Sequence, residues 1–171
     1  MAGPTIVHED PTLRIAIERN VLINVWRDAP TVEQMRAFGS AARSLHRSRG
    51  GDGGLINVVV GGTPRFSDGV RDEAVRLTRA PMLPRGVVHL ILVNGLAGAA
   101  VRAFLSTVVL LGRPRVPTRV YADPDETCAF LAPLLTVGKE RWTAAELFAV
   151  YQQAVRRQAP RPDTWPMEKE R

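Results

Sequence analysis

The residues best suited to chemistry lie in one turn, Gly61-Gly62-Thr63-Pro64-Arg65-Phe66-Ser67-Asp68-Gly69, between an apolar run and an amphipathic one. Thr63 and Ser67 offer hydroxyls and Asp68 a carboxylate, while Arg65 and Phe66 are of the types that anchor protein interfaces. Directly before a helix, Ser67 or Asp68 can cap the free N–H groups, and the carboxylate is favoured by the helix dipole. The alternative is that the turn receives a partner or a phosphate, making Thr63, Arg65, Phe66, Ser67 and Asp68 candidate partner-binding residues. A second turn, Asn94-Gly95-Leu96-Ala97-Gly98, also follows an apolar run and opens a helix. Its resemblance to a phosphate-binding turn makes Asn94, Gly95 and Gly98 candidate ligand contacts. The dinucleotide fingerprint is absent, however, because Gly95, Ala97 and Ala100 occupy its three glycine places. Small residues here more simply let the helix lie close to a sheet.

The remaining reactive types do not assemble into a motif. His8, His46 and His89 fall in three different elements without metal-ligand spacing, and His89 sits inside an apolar run. Cys128, between Thr127 and Ala129, has no evident histidine partner and reads as a packed thiol. No pair of carboxylates stands out as an acid and base. The expectation is a protein with no catalytic residues, no metal site and no cofactor.

These residues must be positioned by a chain of 171 residues, of which 45% are hydrophobic and 23% charged, values ordinary for a globular domain. A single cysteine excludes an intramolecular disulfide and suits a reducing cytoplasm. No signal peptide is recognisable, because Thr5, His8, Glu9 and Asp10 interrupt the first apolar residues. The longest apolar stretch, within residues 95–112, contains Arg102, so no transmembrane segment is expected. Net charge is +6, but of 23 basic residues only Lys139 and Lys169 are lysines, a bias typical of GC-rich coding. The arginines are dispersed and no aromatic residues alternate with them, which argues against nucleic acid.

Periodicity gives the elements. Residues 13–19 and 21–27 read as a hairpin turning at Arg19–Asn20, with Leu13, Ile15 and Ile17 inward and Arg14 and Glu18 on the polar side. Residues 5–9 supply a short extra strand or a lead-in. Thr31 and Gln34 have capping-box spacing, followed by Val32, Met35, Phe38, Ala42 and Leu45 on one helical face. A buried strand is expected at 55–60 and a helix at about 68–80, ended by the prolines at 81 and 84. Another strand follows at 86–93, a very apolar helix at 97–111, and a strand at 118–122. Asp123-Pro124-Asp125-Glu126 then opens an acid-capped helix. Beyond a polar hinge at 136–141, Thr143 and Glu146 form a second capping box for a helix over 143–157, with Trp142, Phe148 and Tyr151 along it. The order β-β-α-β-α-β-α-β-α predicts a mixed, mainly parallel α/β sheet opened by an antiparallel hairpin, with helices packed on it. The organisation read from this is a domain at 1–135, a C-terminal helical extension at 136–157 and a flexible tail at 158–171.

This layout, with LINVVVGG running into FSDG and a helix, then HLILVNGLAGAAVRAFLSTV and RVYADPDETCAFLAPLL, resembles the STAS and SpoIIAA-like family, which includes anti-anti-sigma factors. The resemblance covers about residues 5–135 and implies a small cytoplasmic regulatory or interaction domain of bacterial signalling, acting through the turn after the central strand. Anti-anti-sigma factors carry Asp-Ser-Ser-Gly in that turn and are phosphorylated on one serine. Aligning Gly69 with the motif glycine puts Asp68 at the modified position and Ser67 before it. An acid there either mimics a permanent charge or marks a lost switch. The expected partner is another protein, with a homodimer as a further possibility. The alternative reading is a binding module for a lipid or other small apolar ligand, opening between the helix at 97–111 and the sheet. A third is an arginine-driven contact with nucleic acid or an anionic membrane surface.

Overall fold

A computed structural model describes residues 3–80, 82–83 and 85–156. The hairpin is β2 (Leu13–Glu18) and β3 (Val21–Trp26), paired antiparallel from Glu18↔Val21 to Leu13↔Trp26. Arg19 takes the left-handed conformation that so short a turn demands (φ 52°). β1 (Thr5–Glu9) adds an antiparallel edge strand. β4 (Gly54–Val59), β5 (Gly86–Ile91) and β6 (Thr118–Tyr121) extend the sheet in parallel, in the order β1-β2-β3-β4-β5-β6. The sheet is therefore the mixed one expected from the element order.

Strand order dictates which face each helix covers. Strands β3 to β6 step in one direction, so right-handed crossovers place all three connecting helices on the same face. These are α1 (Val32–Arg49), α2 (Asp68–Arg79) and α3 (Gly95–Gly112). Beyond β6 the chain crosses to the other face, which α4 (Pro124–Leu135) and α5 (Ala144–Val155) cover. Two cores result. Ile23, Val25, Ile56, Val58 and Leu90 pack with Leu131, Leu135 and Leu147 on the α4–α5 side. Leu13, Leu22, Trp26 and Leu55 pack with Met35, Leu45 and Leu77 on the α1–α3 side.

The helix ends follow their local sequence. Both capping boxes form, Thr31 with Gln34 and Thr143 with Glu146, and the Asp123 carboxylate accepts from the N–H groups of Asp125 and Glu126. α1 ends on Gly50 in the left-handed region (φ 60°), and α2 ends at Arg79. The prolines at 81 and 84, expected to end α2, lie outside the described residues, as do residue 157 and the tail at 158–171.

Arg14 departs from its expected place. It belongs to the polar side of β2 by alternation, yet it is buried, because α5 lies across that face. Its guanidinium donates to the carbonyls of Ala154 (3.1 Å) and Arg156 at the end of α5, and pairs with Glu9. A cation thus meets the negative end of a helix dipole and satisfies its unbonded carbonyls. Asn20 is equally buried and fully bonded, donating to the carbonyls of Asp52 and Leu135 and accepting from the Trp142 indole at 2.7 Å. Tyr151 turns inward on α5, so that helix's aromatic residues serve its own core.

Asp10 joins the β1–β2 turn to the start of α1, accepting from Gln34 Nε2, the Thr12 hydroxyl and the Thr12 and Leu13 N–H groups. Burial alone would raise its pKa. These hydrogen bonds, with one from His8, outweigh that and hold it far below the usual carboxylate range.

Candidate functional site

Across β3, β4 and β5 the face of the sheet under α1–α3 is apolar except for one row. In-register pairing of β3, β4 and β5 aligns Asn24 with Asn57 and Asn57 with His89. The rows before and after it are Leu22–Leu55–Val87 and Trp26–Val59–Ile91. Trp26 lies one pleat along and donates its indole N–H to Asn57 Oδ1 at 2.6 Å. An indole nitrogen can only donate, so this contact fixes the orientation of the Asn57 amide. Asn57 Nδ2 therefore faces His89 Nδ1 at 3.1 Å and donates to it. The neutral ring must then carry its proton on Nε2. Burial pushes the His89 pKa down to about 4, so the ring is uncharged at neutral pH. Asn24, at the head of the row, is fully buried, and neither atom of its amide meets a partner among the described residues.

Above the row lies a cavity of about 690 Å³. Trp26, Asn57 and His89 form its floor, and Leu55, Leu77, Val101, Phe104, Leu105 and Val108 are among its walls. It runs from the turn at Gly61–Pro64 and Phe66, at the C-terminal ends of the strands, to Arg79, Arg113 and Arg115 at their N-terminal ends. α3 makes a close contact near each of its ends. At one end a Cβ on Gly98 would stand 2.0 Å from the Val93 carbonyl oxygen, and at the other a Cβ on Gly112 would stand 2.5 Å from Thr78. Between these ends α3 presents Val101, Leu105 and Val108 to the cavity, Val101 and Leu105 also packing with Ile91 of β5.

The 61–69 turn closes one end of this space. Asp28, just past β3, accepts from the N–H groups of Thr63 (3.1 Å) and Ala29 (2.8 Å). Gly62 adopts φ +105° against Asp28, where a Cβ would lie 2.4 Å from the Asp28 Cα, so only glycine fits. Phe66 is half-buried and stacks on Phe104 of α3, with ring centroids 3.8 Å apart and planes at 11°. Ser67 provides the cap, its hydroxyl accepting from the Val70 N–H at 3.3 Å. Asp68 is the first residue of α2 and pairs with Arg71 at 2.8 Å. The structure thus joins Thr63 and Phe66 to the cavity and leaves Arg65, Ser67 and Asp68 exposed beside it. Asn94, Gly95 and Gly98 form the start of α3 and are not part of the cavity lining.

The other titratable residues are dispersed. His8 contacts Asp10 at 3.1 Å, and His46 Nδ1 meets the Met82 carbonyl at 3.1 Å. Cys128 is buried in the opposite core, where burial and then the nearby Asp125 push its thiol up to about 12.

The polar row escapes a reading by periodicity, which treats Asn24 and Asn57 as interruptions in apolar strands. One signal was present. The tetrapeptide Leu-Ile-Asn-Val occurs at 22–25 and again at 55–58, and the fold pairs the two copies side by side. No family model matches the chain, and no curated protein or solved structure matches it either.

Proposed function

We propose that this protein is a non-catalytic binding module of the STAS or SpoIIAA-like kind its sequence resembles, and that it holds a small, mainly apolar molecule between the sheet and helices α2 and α3. The observation that carries this reading is the cavity of about 690 Å³, walled mainly by aliphatic and aromatic side chains over Asn57 and His89, with Arg79, Arg113 and Arg115 at one end. Ligand pockets commonly have this size and this mixture of apolar walls with a few placed polar groups. Neutral His89 offers its Nε2–H to an ester, carbonyl or hydroxyl oxygen of the guest, which an imidazolium would do only at a desolvation cost. Native mass spectrometry after exposure to a total lipid extract tests this. An adduct of a few hundred daltons is expected on the native chain. It should weaken at least tenfold in His89→Leu and disappear in Ala74→Phe, which fills the cavity from α2. A bare protein mass under all conditions contradicts the proposal.

A second reading has its own support. Arg65, Ser67 and Asp68 are exposed at the C-terminal edge of β4, the usual location of function in α/β sheets, and Phe66 ties their turn to the cavity. In this reading the turn binds a protein partner in bacterial signalling in the cytoplasm, and occupancy of the cavity reaches that partner through Phe66. A pull-down indifferent to Arg65→Ala combined with Phe66→Ala would refute it.

A further inference from the structure

Helix α3 has a second apolar face, pointing away from the cavity. Leu96, Ala100, Ala103, Leu110 and Leu111 fall on one outward stripe at helical spacing, and the three leucines are 91%, 74% and 46% exposed. Thr107, within the stripe, does not break it, because its hydroxyl bonds back to the Ala103 carbonyl at 3.0 Å. Ser106 at its margin does the same to Arg102 at 2.9 Å. Lone exposed leucines are unremarkable on a protein surface, but a stripe along a helix of 18 residues is a contact surface.

Charge identifies what the stripe fits. The segment from Ala74 to Ala122 contains seven arginines and neither aspartate nor glutamate, and α3 lies within it. Of the acids of the neighbouring α2, Glu73 pairs with Arg76, while Asp68 and Asp72 share Arg71. Arg102 stands beside the stripe, and Arg113 and Arg115 follow its last turn. A second copy of the chain docked here would oppose one set of arginines to another. A nucleic-acid backbone would meet leucines where it needs cations. A surface of anionic lipid satisfies both features, with hydrocarbon for the leucines and phosphate for the arginines.

Among the described residues α3 is the one helix long and apolar enough to cross a membrane. The sheet forbids that orientation. β5 and β6 are joined by α3 and are hydrogen-bonded to each other from Val87↔Thr118 onward, so a spanning α3 would pull paired strands to opposite sides of the bilayer. We propose that α3 lies in the plane of a membrane interface rich in anionic lipid, with Leu96, Leu110 and Leu111 inserted and Arg102, Arg113 and Arg115 against the headgroups. This docking is independent of any guest in the cavity, although it places the Arg113–Arg115 end of that cavity at headgroup level.

Flotation of the full chain with vesicles tests the proposal. Vesicles of phosphatidylcholine and phosphatidylglycerol at about 3:1 should carry the protein at low salt, pure phosphatidylcholine should not, and about 0.5 M salt should release it. Leu96→Ser with Leu110→Ser and Leu111→Ser changes only exposed positions and should reduce the bound fraction at least tenfold with the circular dichroism unchanged. Arg102→Glu with Arg115→Glu leaves the stripe intact and should abolish the preference for phosphatidylglycerol, so the test does not depend on one variant. Absence of flotation with the mixed vesicles at low salt overturns the proposal. So does flotation unchanged in both variants, or a solution dimer that the serine variant splits and that does not float.

Discussion

Phe66 is where the turn meets the cavity, and its replacement by alanine tests that junction. The side chain is half-buried, so its truncation should cost about half the 3–5 kcal/mol typical of a fully buried phenylalanine, or about 2 kcal/mol. Its stacking on Phe104 at 3.8 Å adds a pairwise term of about 1 kcal/mol. Urea denaturation of the native chain, Phe66→Ala, Phe104→Ala and the double variant separates the two contributions, because the cycle isolates the coupling. The double variant should be less destabilised than the sum of the single ones by that pairwise term. If Phe66→Ala costs under about 0.5 kcal/mol and the coupling is within error of zero, the turn is not seated on α3 and the link from turn to cavity is wrong.

Other consequences concern protonation and burial. His89 has its folded pKa depressed to about 4, so the unfolded chain takes up a proton that the folded one refuses. Stability is then complete above the ordinary histidine pKa and falls as pH drops, by about 2 kcal/mol between about pH 7 and pH 5. His89→Leu should flatten that slope in denaturation curves, and an unchanged slope would contradict the neutral, cavity-facing ring. Cys128, buried with its thiol pushed up to about 12, should resist thiol reagents in the native protein at pH 8 and react on unfolding. Prompt labelling of the folded chain would refute that placement. Asn24→Leu replaces an amide with no partner among the described residues and should raise stability by about 1 kcal/mol, whereas a loss would show that the amide is satisfied.

What the sequence discloses and what it hides divide along range. Thr31 with Gln34, Thr143 with Glu146, and Asp123 before Pro124 act within one helical turn, and each could be read directly from its spacing. Ser67 follows the same rule, although the sequence could not choose between it and Asp68 as the cap. Arg14 illustrates the opposite case. Its alternation in β2 points to solvent, and only α5, more than a hundred residues later, makes it a buried ligand of helix carbonyls. The Asn24–Asn57–His89 row depends on the register of three strands, which no single strand encodes. The cavity is harder still to foresee, since α3 is apolar along the face it leaves unfilled. The glycines of Asn94-Gly95-Leu96-Ala97-Gly98 suggest a ligand turn by type, yet at Gly98 the glycine is demanded by the close Val93 carbonyl.

Whether the cavity holds an occupant is measured most directly by native mass spectrometry of the full chain against its Ala74→Phe variant. After exposure of both to the same total lipid extract, the native chain should retain a single adduct that resists gentle activation, and the filled variant should show only its own mass. An adduct of equal abundance on both proteins, or none on the native chain, would contradict the claim that the space between the sheet and α2–α3 is a binding site.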